Sequence, residues 1–575
     1  MAVAYKGKPD DDPLNMDDYR PITYTASLMK VLGNIILLLL ADHAITQGNT
    51  GSFQVGFTPR RDRYQAIEDT IARIAEAGLA GVVILFIDLS GAFDRISWSA
   101  IKSALIRVGV DKKQSEAIVD RMKATVSVHH RRSNSTSTPF RRECGVLQGG
   151  PVSPLLFTLA NHPATHKMSW MIEHSPAAIP PLIHNTDIGS DQSLTAYADD
   201  ERATVCDKQS AALAAVSAQI CHERTGGKLG FRNPRNGIGS KTAIFATGRA
   251  RESFGLTDAE IKAGAVALTV EDQLQALETL DGMGLNSSNA IPVPTNIPMV
   301  TSYNYLGTLL CTKEVTIRAG DHAETLWMLD MMPHINKRCA MAEQSIGSIS
   351  NAAVNSDWSL TQFSTILYQA VAGTALDGIH ATAAAIDPPE VHRGQDSSTT
   401  ANQCTGTLKA GDNRRKPRYN TRAVRRIDRT LDMARHALIT GVGRGRPTFM
   451  GKTCLPATMM RTCIWTPSAT ARIDLATYRC ALHRLTSDSI PNIRVAMWHL
   501  LMSGNPNPRN GKRGPLRNMA SVLLQEHNSA DSLATLQTNT KDEMEILTTN
   551  YKQALRVREL DRVSGNLDKK SSHAK

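Results

Sequence analysis

No stretch of this chain approaches the roughly 20 consecutive apolar residues that a membrane-spanning helix requires. The longest, Ile35 to Ala41, is followed at once by Asp42 and His43. The N-terminus also lacks the basic-then-apolar pattern of a secretory signal. Cysteine is sparse, nine in 575 residues, and no two form a Cys-x-x-Cys pair. An odd, scattered set argues against a disulfide framework and for reduced thiols in an intracellular protein. Cys454, Cys463, Cys480 and His483 could in principle ligate zinc, but their spacing matches no ribbon or knuckle. No segment repeats at a fixed period. Charge is plentiful: 65 Lys and Arg against 54 Asp and Glu give a formal net charge of +11. That sign fits a polyanionic partner, although solubility alone would also explain it. The length exceeds one ordinary core, so two to four domains are expected.

Three short stretches stand out, in order: Phe86-Ile-Asp-Leu-Ser-Gly-Ala-Phe-Asp94, Gly145-Val-Leu-Gln-Gly-Gly-Pro-Val-Ser-Pro-Leu-Leu-Phe157 and Ala196-Tyr-Ala-Asp-Asp200. The apolar run Val82 to Ile87 is long enough only for a buried strand, and Asp88 lies at its end. Asp199 and Asp200 fall between two short β-type runs, as at a hairpin tip. Crowded carboxylates repel one another unless cations neutralise them, and hard oxygen ligands suit Mg²⁺. Two such ions, roughly 3.5–4 Å apart, are the general device for in-line phosphoryl displacement. These features imply a nucleotide polymerase.

Together the blocks, closed by Tyr305-Leu-Gly307, resemble the reverse transcriptase family, most closely the enzymes of non-LTR (LINE-type) retrotransposons. The resemblance implies an α+β right-hand polymerase: fingers, a palm with an antiparallel sheet, and a helical thumb, followed by a basic helical C-terminal region. The implied domains are partial fingers at 1–80, palm with remaining fingers at 81–284, palm end and thumb at 299–385, a basic linker at 386–424, and a helical region at 425–575. The start falls in what resembles the middle of a fingers subdomain, which suggests a truncated gene model or a fragment of a longer polyprotein.

By that resemblance, Asp88, Asp199 and Asp200 would hold two Mg²⁺ ions, with Mn²⁺ as an alternative and the Leu89 carbonyl as an extra ligand. Phe93 would wall the sugar pocket against a ribose 2′-hydroxyl, where a core phenylalanine is the simpler alternative. Gln148 would support the incoming nucleotide, with Gly149 and Gly150 letting backbone come close. Arg20 would grip the triphosphate, joined by Lys6 or Lys8 unless those belong to a solvated terminus. Gln54, Gly56 and Arg60 resemble the block that cradles the template. Lys241 resembles the lysine that protonates pyrophosphate, although the family has a proline at Leu147 and a shorter loop before Lys241. Arg414, Arg415 and Arg418, with Arg422, Arg425, Arg426 and Arg429, form a basic tract suited to nucleic acid or to nuclear import. The implied partners are an RNA template, a DNA or RNA primer and dNTPs, with no membrane. Three rival readings remain: a decayed or domesticated nucleic-acid-binding relic, a group II intron-type maturase, and an RNA-dependent RNA polymerase, which Phe93 disfavours.

Local patterns give further expectations. A buried helix covers Ser27–Ile45, because its apolar residues run nearly all round the wheel. A helix capped by Asp62 ends at Gly78, and another capped by Ser97 runs to Gly109. Further helices are expected near 115–126, from Pro151 onward, near 211–222, and in the thumb at 324–332, 335–349 and 360–372. Short strands are expected near 228–231 and 242–246, and a Pro- and Asn-rich connection at 285–298.

Overall fold

The computed structural model describes residues 2–5, 19–23, 26–46, 53–58, 63–123, 125–127, 129–130, 135–174, 194–230, 242–254, 260, 264–283, 296–319, 322–354, 421–440, 468–487 and 546–555, with single positions between 362 and 378 and at 557. The chain divides into two compact units: Met1–Asp69 with Leu79–Thr301, and Thr70–Gly78 with Ser302–Lys575.

In the first unit the elements run β1 (Ala2–Tyr5), β2 (Tyr19–Ile22), α1 (Ser27–Thr46), β3 (Val83–Asp88), α3 (Ala92–Arg95), α4 (Trp98–Arg107) and α5 (Lys112–Met122), with α2 (Arg63–Ala77) lying across both units. Then come β4 (Thr125–Val126), β5 (His129–His130), β6 (Ser135–Thr136), β7 (Phe140–Arg141), α6 (Ser153–His174), β8 (Leu194–Tyr197), β9 (Asp200–Val205) and α7 (Lys208–Glu223). The unit closes with β10 (Ala243–Ala246), α8 (Ala250–Ser253), β11 (Ala265–Ala267), α9 (Val270–Gly282) and β12 (Asn296–Val300).

The apolar run ending at Asp88 becomes the centre of a six-stranded sheet ordered β11-β12-β10-β3-β9-β8, antiparallel except between β10 and β12. All six residues of β3 are buried. Val83, Leu85 and Ile87 face a core built with Leu105 of α4, Leu156 and Phe157 of α6, and Val216 of α7. Ile84 and Phe86 face the other side and are equally buried, with Phe86 edge-on to Phe245 at 6.4 Å. A strand buried on both faces reads as a continuous apolar run rather than an alternating one, which is why run length and not periodicity revealed it.

The helix starts obey capping chemistry. Ser97 accepts from the Ala100 amide, Asp111 from Lys113 and Gln114, and Asp207 and Thr269 form capping boxes with Ser210 and Asp272. Pro163 inside α6 has no N–H to give the Leu159 carbonyl; Arg107 Nη2 supplies the missing donor at 2.7 Å. One residue beyond Asp200, Glu201 ties β9 to two helices. Its Oε2 lies 2.9 Å from His222 Nε2 and its Oε1 accepts from Thr165 at 3.1 Å, while His222 Nδ1 meets Asn161 Oδ1 at 3.1 Å. All four side chains are buried, so the group packs as a satisfied polar core.

The second unit holds a meander, β13 (Ser302–Tyr305), β14 (Thr308–Ala319) and β15 (His322–Leu329), then α10 (Met332–Val354), α11 (Thr421–Thr440) and α12 (Ala469–Ser487). Arg426 on α11 donates to both carboxylate oxygens of Glu343 on α10, at 2.5 and 3.1 Å, and Thr430 donates to Glu343 at 2.8 Å. Burial alone would raise the Glu343 pKa, but these donors outweigh it and hold the carboxyl below its ordinary value.

Several expectations are corrected. The segment 324–332 is not helical: residues 322–329 form β15, paired over eight positions with β14. Its Ala, Glu, Leu and Met favour a helix locally, but the ladder with the β-branched residues of β14 overrides that preference. Helix α1 forms as expected but is not buried: Leu28, Val31, Ile35, Leu38 and Leu39 are exposed. Helix α5 starts at Lys112 and ends at Met122, because Asp111 caps it earlier than the expected start. Pro151 lies in the turn before α6 rather than in it. Within the expected connection, residues 296–300 are a sheet strand, Pro298 included. The Asp62 cap, Cys454, Cys463, the side chains of Cys480 and His483, and most of 360–372 lie outside the described residues. Among the described residues no helix is long and apolar enough to cross a membrane.

Two histidines, one buried and one partly buried, make stability pH-dependent. His162 on α6 and His334 on α10 have pKa values lowered from 6.5 to about 4, by burial first and then by neighbouring cations, Arg107 and Arg338 respectively. The neutral ring of His334 is needed, since its Nδ1 accepts the Leu309 amide at 3.1 Å. Between pH 4 and 6.5 the folded chain therefore binds fewer protons than the unfolded one. Stability is full above 6.5 and is lost as pH falls through that window, by about 3 kcal/mol per ring. Denaturant midpoints at pH 7.5 and 4.5 check this. If His334→Gln leaves the gap between them unchanged, His334 is not a source.

Candidate active site

The two aspartate stretches meet at one end of the central sheet. Asp88 and Asp200 are direct partners across β3 and β9, and Tyr197 pairs with Asp200 across the hairpin, leaving Ala198 and Asp199 as its two-residue turn. Partners directly opposite in an antiparallel pair carry their side chains on the same face, with Cβ atoms roughly 5 Å apart. Two carboxylates placed this way repel one another, and positive charge nearby would relieve that repulsion. Ala198 has φ +58°, the left-handed region expected of the first position in a II′ hairpin turn, which glycine would fill without strain.

Asp88 is held from several sides. Its amide donates to Thr242 Oγ1 at 3.2 Å, and its carbonyl accepts from the Gly230 amide at 2.7 Å. A Cβ at Gly230 would lie 2.5 Å from Asp88 Oδ2, so a larger residue there would push this carboxylate out of its place. Leu89 continues from β3 and is bridged to Leu229. Among the described residues no group of three or more His, Cys, Asp or Glu side chains is placed to hold a metal ion. The open oxygen-donor set still fits Mg²⁺, which retains waters and takes only one or two carboxylates plus substrate phosphates.

Phe93 belongs to a row of rings. It stacks on Phe157 at 4.7 Å and meets Phe57 edge-on at 6.2 Å, and Phe57 lies 5.8 Å from Tyr197. One side of the Phe93 ring packs on the core, while the residue is only half-buried. Phe57 is exposed and holds φ +53°, a second strained position beside the hairpin.

Gln148 is fixed through Asp94. Gln148 Nε2 donates to Asp94 Oδ2 at 2.6 Å, and Arg142 Nη2 lies 3.5 Å from Asp94 Oδ1 while donating to the Val146 carbonyl at 3.1 Å. Burial raises the Asp94 pKa, opposed by Arg142 and by the Gln148 hydrogen bond. The Gln148 carbonyl accepts the Thr23 amide at 2.8 Å, which ties the chain just after β2 to this loop. Gly149 has φ +103°.

Gln54 lies elsewhere than a template surface would suggest. It is 2 % exposed, and its carboxamide faces the backbone of the Ala198 turn. Gly56 follows it against the same turn. Lys6, Lys8, Arg60, Lys241, Arg414, Arg415 and Arg418 lie outside the described residues, as does the Arg20 side chain. Sequence reasoning missed Asp94 as a partner of Gln148, and it missed Gly230, Thr242 and the contact of Phe57. Only Asp94 carried a signal, since it closes the first stretch.

Residues 6–225 match the sequence model of the reverse transcriptase (RNA-dependent DNA polymerase) family. This stretch carries a reverse transcriptase domain. The family is a nucleotidyltransferase, with RNA template, primer and nucleotides as its substrates, and its members use divalent metals. The matched span of the domain contains Gln54, Asp88, Phe93, Gln148, Asp199 and Asp200, and it stops before β10.

Proposed function

We propose that the chain is the RNA-directed DNA polymerase of a non-LTR retrotransposon, extending a primer 3′-hydroxyl along RNA by two-metal nucleotidyl transfer. The observation that carries this reading is the register of Asp88 opposite Asp200, with Asp199 in the adjoining turn. These three side chains would hold Mg²⁺, which when bound supplies charge stabilisation for the attacking and leaving oxygens. Gln148, locked by Asp94, would orient the incoming nucleotide, and Phe93 would close the sugar pocket. The Arg20 strand, joined to the Gln148 loop through Thr23, would bring its guanidinium toward the triphosphate. The first unit then corresponds to fingers and palm. The second, from Ser302, begins with a strand meander before the helices of a thumb. Purified chain should extend oligo(dT) on poly(rA) with dTTP in Mg²⁺. No extension in either Mg²⁺ or Mn²⁺ would favour the catalytically inactive relic.

The basic tract divides by role within α11. Arg425 and Arg429 are exposed, whereas Arg426 is engaged with Glu343. Replacing Arg425 and Arg429 with Gln should lower the salt-dependence slope of RNA binding by roughly 1.4–1.8, at 0.7–0.9 per lost phosphate contact. Arg426→Gln should instead lower the melting temperature, because it leaves the Glu343 carboxylate without its bidentate partner. Filter binding across a salt series, with thermal melts alongside, tests both. An unchanged slope in the double variant would reduce the stripe to a solvated face.

A further inference from the structure

Gln54 makes a set of contacts that a template-facing residue would not make. Its Oε1 accepts two amides, those of Ala198 and Gly56, each at 2.9 Å. Its Nε2 approaches the Ala198 carbonyl at 3.5 Å. The carboxamide thus faces both backbone polar groups of the one turn residue that holds a positive φ. On either side the main chain joins in: Ala196 donates to the Phe53 carbonyl at 2.9 Å and Val55 donates to the Ala196 carbonyl at 2.8 Å, a short parallel bridge along the outer edge of β8. Thr58 closes the segment by donating to the Gln54 carbonyl at 3.2 Å. Gly56 completes the fit, since a Cβ there would stand 2.3 Å from the Ala198 nitrogen.

We infer that Gln54 is a positioning residue that clamps the Ala198–Asp199 turn and so sets where the Asp199 carboxylate stands. A two-residue turn with alanine in the left-handed region carries strain of order 1 kcal/mol, and such conformers persist where surrounding structure over-determines them. The side-chain amide acts as one more rung of the parallel bridge. It supplies an acceptor and a donor where the turn has left the ladder, and it is fully desolvated, so no water can replace it. The role at Asp199 rests on the polymerase reading; the clamp on the turn does not.

Gln54→Leu keeps a side chain of similar size and removes all three polar contacts of the carboxamide. Hydrogen exchange on the full chain should then speed up by about tenfold or more in the peptide over residues 194–200, with the core peptide over 83–88 unaffected. Turnover at saturating substrate should fall about tenfold and the Mg²⁺ needed for half-activity should rise, while template-primer affinity stays within about twofold. Adding Ala198→Gly to Gln54→Leu should recover part of both losses, because glycine adopts the turn unaided. Loss of template-primer affinity with hairpin exchange unchanged would show that Gln54 serves the template instead. Faster exchange throughout the sheet, without recovery on adding Ala198→Gly, would reduce Gln54 to a general packing residue. Should the unsubstituted chain extend no primer, the proposed function falls, and the exchange comparison of the single and double variants still decides the clamp.

Discussion

Asp199→Asn is expected to lower nucleotide incorporation by at least about a hundredfold while leaving the melting temperature nearly unchanged. Asp199 sits in the two-residue turn and is only half-buried, so the amide can replace the carboxylate without a cavity or clash. What it removes is negative charge at the end of the sheet where Asp88 and Asp200 face one another. Metal charge stabilisation is worth several kcal/mol, and a hundredfold corresponds to about 2.7 kcal/mol. Template-primer affinity should hold, since phosphate contacts lie with basic side chains. Retention of a tenth or more of the original rate would remove Asp199 from the metal set.

Phe93→Val should open the sugar pocket to ribonucleotides. The dNTP-to-rNTP preference is expected to fall on the order of a hundredfold, mostly through faster GTP insertion, with a modest loss for dGTP. The stacking of Phe93 on Phe157 predicts a second effect, because truncation also removes a core contact. As the ring is only half-buried, the stability cost should stay below the roughly 3–5 kcal/mol of a fully buried Phe→Ala. Single-nucleotide insertion kinetics beside a thermal melt separate the two. A drop in melting temperature with the sugar preference unmoved would make Phe93 a core ring and nothing more.

What could be read from the sequence depended on whether the signal was local. The strand ending at Asp88 and the hairpin around Asp199 were legible because apolar runs stop abruptly at carboxylates. The caps at Ser97 and Asp111 follow the same local logic, and the Asp111 cap starts its helix ahead of the apolar pattern. The exposure of α1 was not legible: an apolar wheel says that a helix wants cover, not that the described fold supplies it. Strand β15 was misread because its own residues prefer a helix and its partner strand decides otherwise. The clamp by Gln54 was hidden for another reason. Its contact bridges 144 residues, and no spacing rule links a glutamine to a distant turn. Gly230 and Thr242 hold Asp88 over comparable separations and were equally silent.

The order of strands in the central sheet has a consequence for how this chain must be made. Strand β3 lies between β9 and β10, and β10 in turn pairs with β12, which ends at Val300. The recognisable domain stops at residue 225, before β10 has been synthesised. A fragment cut at that boundary would leave β3, apolar on both faces, with an unpaired edge, the kind of surface on which chains join one another rather than fold. On the ribosome the same edge waits for about 20 more residues, until β10 ends at Ala246, roughly one to four seconds of synthesis at typical rates. A piece that covers this edge is therefore longer than the piece that can be recognised, and it must reach at least to β10.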